Sequence, residues 1–215
     1  MSQRANRVRR RQGLIRRSLA RNFCADAESI ARLGTSSSEL LPREPPEKSA
    51  VEIIAPEALK SEILQSLASV WKANRERGGM PRRASLLPRG IGNLLKYVSL
   101  VRVVPERSDY EFRIIGDIHV QAYGTRHQGK CLSDVAKEAP KFARMLQRSL
   151  DAVVKAKKPI AYRGIIGRDA GDSRFIALES VFLPLSEDGT SVDHIMTAGI
   201  YTPRGGYWTD APAIV

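Results

Sequence analysis

The chain has 215 residues, 42% of them hydrophobic and 27% charged, with a formal net charge of +12. That length fits one ordinary domain with an appendage, large enough to bury a core without staples. No apolar run approaches the roughly 18 residues of a membrane-spanning helix, and the two cysteines form no CxxC pair, which argues against a disulfide framework or a thiolate zinc site.

The charge is unevenly spread. Residues 1–25 hold eight arginines and no acid, whereas residues 51–215 carry a net charge of only +6. Residues 1–33 read as a basic arm with no core-forming pattern, expected to be disordered. Arg16 and Arg17 interrupt the apolar stretch after Leu14 and Ile15, so no export signal is expected. With the free cysteines, this points to a cytoplasmic location. Arg9, Arg10, Arg11, Arg16 and Arg17 are of the kind that attracts phosphate or anionic lipid. Residues 34–50 combine a serine run with three prolines and read as a linker.

The folded domain is placed at 51–201. Leu59, Ile63, Leu64, Leu67, Val70 and Trp71 follow helical spacing, which predicts an amphipathic helix over 56–77, opened by Pro56 and stopped by Gly78 and Gly79. Leu86 to Leu95 reads as a turn with a short helix. The runs Tyr97–Val104 and Tyr110–Gly116 read as a hairpin of strands. Residues 117–138 carry Gly124 and Gly129 and read as short helical turns. Pro140 opens a long helix with Phe142, Met145, Leu146, Leu150 and Val153 on one side, closed by Lys157, Lys158 and Pro159. Strands Ile160–Ile166, Arg174–Leu185 and Val192–Tyr201 follow, the last two joined across the hairpin signal Asp188-Gly189. Residues 202–215 read as an irregular tail. The sum is an α+β domain: a largely antiparallel sheet with helices on one face.

Several stretches carry a family resemblance. They are Trp71 with the turn Arg77-Gly-Gly-Met-Pro81, Leu87-Pro88 before Leu94, and Phe112-Arg-Ile-Ile-Gly116. Gly124 and Gly129 with Leu132 follow, then Leu183-Pro-Leu-Ser-Glu-Asp-Gly189. In their order and spacing they resemble a bacterial stand-alone PAS-like family, over about Leu59 to Tyr201. The resemblance implies a five-stranded antiparallel sheet of order 2-1-5-4-3, a ligand pocket under the helices, and a role in signalling. It places Phe112, Gly116, Tyr123, Tyr162 and Glu179 as candidate ligand-binding residues. The apolar stripe of the first helix needs a cover, either the outer face of its own sheet or the same helix of a second subunit; the resemblance supports both, and a homodimer is expected, with Ile63, Leu67, Val70 and Trp71 as the candidate interface. The haem scheme of some PAS domains needs a histidine on the long helix, and residues 140–158 hold none. No cofactor, metal or transmembrane segment is expected.

Glu179 stands in the middle of an otherwise apolar strand. It points either under the helices or outward to solvent or a second subunit; if buried it must be paired or protonated. Arg163 is a partner if it shares that face, and Arg113 defaults outward between Phe112 and Ile114. His119 and His127 with Asp117 and Asp134 lack the close spacing of metal ligands and read as ordinary polar residues. Three function classes remain. The first is a non-enzymatic sensory and protein-interaction module. The second is a nucleic-acid or anionic-membrane binder acting through the arm. The third is an enzyme, which would need Asp117, His119 and Glu179 to converge.

Overall fold

The structure is a computed structural model and describes residues 45–75, 79–86, 91–124, 126–170 and 173–204. The arginine-rich arm at 1–33, residues 34–44 of the expected linker and residues 205–215 of the expected tail lie outside the described residues, and Arg9, Arg10, Arg11, Arg16 and Arg17 with them. Among the described residues no helix is long and apolar enough to cross a membrane.

In chain order the strands are β1 (Ala50–Ile54), β2 (Val98–Val104), β3 (Asp109–Ile114), β4 (Ile160–Ile165), β5 (Phe175–Leu185) and β6 (His194–Pro203). The helices are α1 (Glu62–Ala73), α2 (Asp117–Tyr123), α3 (Leu132–Glu138) and α4 (Pro140–Ala156). All strand pairs are antiparallel, in the order β1-β4-β5-β6-β2-β3. The expected five strands of order 2-1-5-4-3 are thus corrected to six, with β1 added outside β4.

That sixth strand lies partly in the stretch read as linker. Ala50 to Ile54 pairs with Ile165 to Ala161. Ahead of it, Pro46 O accepts from Arg168 N at 2.9 Å, and Ser49 N and Oγ both donate to Asp169 at 2.8 and 2.7 Å. Proline and serine content marked residues 34–50 as a linker, and the strand that begins at their end is only five residues long, too short for its apolar residues to read as a separate element. The last strand also runs past its expected end, since Thr202 and Pro203 pair with β5.

Helix α1 is shorter than the 56–77 expected. Pro56–Ala58 make a single 3₁₀ turn, Leu59 turns extended, and α1 starts only after Ser61, whose Oγ accepts from Leu64 N. The break has a cause on β5. The Glu179 carboxylate accepts from Ser61 N at 2.7 Å and from Lys60 N at 3.0 Å. It thereby satisfies N–H groups at the positive end of the helix. Arg163 Nε and Nη2 donate to the same carboxylate at 2.9 and 2.7 Å, and Nη2 also reaches Ala58 O. Arg163 and Glu179 are direct cross-strand partners, so they share a face.

Side chains alternate along a strand. Glu179, Val181 and Leu183 therefore face α1, while Leu178, Ser180 and Phe182 face α4. The helices lie on both faces of the sheet, not on one. Leu64, Leu67 and Trp71 of α1 are buried in the main core, and Trp71 Nε1 donates to Pro184 O at 2.7 Å. Each such side chain contributes about 1.5–3 kcal/mol of burial. Ile63 and Val70 pack half-buried on the same core. The stripe proposed as a dimer interface is covered by the chain's own sheet, because β5 and β6 present a second apolar face.

On the other face, α4 starts with Pro140 in its first turn and ends at Lys157 in the left-handed region. Ala143, Leu146, Leu150 and Val153 are its buried stripe. Tyr110 Oη donates to Asp151 at 2.5 Å, tying β3 to this helix.

Two predictions follow from these contacts. Glu179→Ala leaves the Lys60 and Ser61 N–H groups just ahead of α1 without their acceptor and Arg163 with Ala58 O alone, and should lower stability by about 2–3 kcal/mol in urea denaturation, with Glu179→Gln losing less. Gly116 has φ −68°, so its need for glycine is not the left-handed conformation that a strand-ending glycine suggests; an added Cβ would stand 2.5 Å from Lys96 O and 2.7 Å from Val98 O. Both are backbone atoms, so Gly116→Ala should cost about 1–3 kcal/mol in the same assay.

Candidate functional site

The sheet face turned towards α2 and α4 does not close on them completely. A cavity of about 670 Å³ lies between. From the sheet, Val101, Phe112, Tyr162, Leu178 and Phe182 give it an apolar floor, with Ser99, Ser180 and Thr197 set among them. From the helices come His119 and Tyr123 of α2 and Phe142 and Leu146 of α4. Those residues share a wall because positions 142, 145, 146, 149 and 152 lie on one helical stripe.

The polar groups sit in one corner. His119 is 3% exposed, and its Nδ1 lies 2.5 Å from Ser99 Oγ. Gly116 N donates to the same Oγ at 3.3 Å. The serine hydroxyl keeps a second lone pair beside the one that Gly116 N takes, so Oγ and Nδ1 share a single proton in either direction, and Nε2 is correspondingly the N–H or the bare nitrogen of the ring. Nε2 is buried and has no hydrogen-bond partner among the described residues. Burial alone pushes His119 down from its ordinary 6.5 to about 4, so the ring is neutral at physiological pH.

Beside it, Tyr123 Oη and Tyr201 Oη are 2.9 Å apart. Burial pushes both phenols up, so both hydroxyls stay protonated. Tyr201 lies over Gly199, where a Cβ would meet its hydroxyl at 2.5 Å. The ring centroids of Tyr123 and Tyr201 are each 5.7 Å from that of His119. The inside of the cavity is therefore apolar and aromatic, with neutral hydrogen-bonding groups and no buried charge.

Of the five residues expected to bind ligand, Phe112, Tyr123 and Tyr162 line this cavity. Gly116 does not; it caps α2 and positions Ser99 through its N–H. Glu179 lies on the opposite face of β5 and holds α1, which leaves its carboxylate no access to the cavity. The grouping required for an enzyme also fails: Asp117 is exposed beside Arg126 at 3.5 Å, His119 is in the cavity, and Glu179 is across the sheet. Among the described residues no three His, Cys, Asp or Glu side chains come together as metal ligands. Sequence reasoning missed Ser99 and Tyr201 as lining residues. Their signal was the two-residue alternation of β2 and β6, which becomes readable once Phe112 and Tyr162 are known to point inward.

A family model described as PAS domain matches residues 59–201. The chain belongs to the PAS domain family. The comparisons with curated proteins and with solved structures gave no match. The matched span takes in α1 and strands β2 to β6, up to Tyr201. It leaves out β1, so the sixth strand is an addition to the matched PAS domain, and this strand contributes Val51 and Ile53 to the mouth of the cavity.

The neutral histidine of this PAS domain makes a pH prediction. The unfolded chain binds a proton at His119 near pH 6.5, and the folded one does so only near 4. Stability from this group is thus complete above about pH 6.5 and is lost as the pH falls towards 4. The loss amounts to about 3 kcal/mol. Urea denaturation of the wild type between pH 7.5 and 4.5 should show this slope, and His119→Gln should flatten it.

Proposed function

We propose that this PAS domain is a non-enzymatic sensory and protein-interaction module of bacterial signalling that binds a small molecule between its sheet and helices. The observation that carries this reading is the cavity: its volume lies within the range of small-molecule sites, and a buried histidine nitrogen in its wall has no hydrogen-bond partner among the described residues. An apolar enclosure with a few converging polar groups is the usual form of such sites. Membership of the PAS domain family supports the sensory role by analogy of fold.

Output then passes through contact with another protein or with a second copy. A second copy would have to use a surface other than the α1 stripe, which is buried under its own sheet. Exposed Ile114 lies on β3, at the sheet edge remote from β1, and offers one apolar position for such contact.

Fragment screening by two-dimensional NMR tests the reading. Small aromatic fragments should shift the amides of Ser99, His119 and Thr197 together, and Ser180→Phe, which fills the cavity from β5, should abolish those shifts. Shifts scattered over the surface, or unchanged by Ser180→Phe, would remove the case for a ligand site.

A further inference from the structure

The mouth of the cavity differs sharply from its interior. It opens between α4 and β1, where Met145, Val51 and Ile53 line it while remaining exposed. Three large apolar side chains are thus left in water at one opening, although most of their kind in this chain are buried. The same opening carries Lys141, Arg144 and Arg148, all on the α4 side. No Asp or Glu among the described residues lines the cavity or its mouth.

The three cations are not equivalent. Lys141 Nζ donates to Asp169 O at 3.3 Å. Arg144 and Arg148 have no hydrogen-bond or ion-pair partner among the described residues. They stand four apart on a helix, one turn from each other, so both reach the same space. Two guanidinium groups so placed are suited to one carboxylate or phosphate, which they bind through paired N–H donors.

Where a ligand's charge would sit is decided by the contrast. Inside, only neutral polar groups are present, and an ion moved into such surroundings without a counter-charge loses its hydration uncompensated. At the mouth the counter-charge exists and solvent is retained. We infer that the cavity takes an amphipathic organic anion: an alkyl or aryl body inside, and one anionic head group, carboxylate or phosphate monoester, held at the mouth by Arg144 and Arg148. This rests on the reading of the cavity as a ligand site and adds the chemical class. His119 Nε2 and the tyrosine hydroxyls then select for a polar atom at the buried end of the body.

Calorimetric titration of the full chain with octanoate, octyl phosphate and octan-1-ol tests the inference. At least one anion should bind about tenfold or more tighter than the alcohol. In the double variant Arg144→Gln, Arg148→Gln that advantage should vanish while alcohol binding stays; both side chains are exposed, so folding is not at risk. Raising the salt concentration should weaken the anion and leave the alcohol unchanged. Whichever anion binds more tightly names the head group. Equal binding of anions and alcohol, or an anion advantage that survives the double variant, overturns the inference while the cavity reading stands. No binding of any of the three also overturns it, and the fragment shifts at Ser99, His119 and Thr197 then decide separately whether the cavity is a ligand site.

Discussion

A carboxylate on the middle strand organises both layers around the sheet. Glu179 takes the N–H groups of Lys60 and Ser61 and both donors of Arg163. Those bonds fix where α1 begins and against which face it lies. Once α1 occupies that face, β5 is covered on both sides, and its even-numbered residues are left to the cavity. A charge at this point is tolerated because every neighbour is complementary: a cross-strand guanidinium and the positive end of a helix. The carboxylate serves the fold, and its negative charge lies on the face of the sheet opposite the cavity.

The cavity is organised by the opposite rule. Its interior holds polar atoms without charge, because burial keeps His119 unprotonated and the two tyrosines protonated. A serine links the histidine to the start of α2 through Gly116, so ring orientation follows from backbone geometry. Charge appears only where water does, along the outer stripe of α4. The two faces of one strand thus separate a charged structural contact from a neutral cavity wall.

Much of this was legible from residue order. The long helix showed itself through Leu146, Leu150 and Val153 at helical spacing, and the β5–β6 hairpin through Asp188-Gly189, where Asp188 accepts from Thr190 N and Ser191 N and Gly189 takes φ 77°. Phe112 and Tyr162 were named through the family resemblance, and the structure turns both into the cavity. Three things were not. Strand β1 is only five residues long, and its one alternation, Val51 and Ile53 around Glu52, is too short to stand out beside the proline-rich stretch before it. The start of α1 depends on a residue 118 positions further on, Glu179, and no local pattern carries that. The face of Glu179 itself could not be assigned, because a strand buried on both sides is apolar at every position and its period of two disappears.

Strand β1 carries one more consequence, in terms of chain closure. Its partner β4 follows it by more than a hundred residues in sequence, since Ala50 pairs with Ile165. Closing so long a loop costs only slightly more than closing a short one, but the strand is held on one side only and its residues 50–53 are exposed. Such an edge opens locally at a free energy well below that of global unfolding. The opening of the cavity is therefore framed by the strand of this sheet least bound to the rest. Peeling of that strand would widen the mouth, and the hydrophobic core that carries the fold takes no part in it.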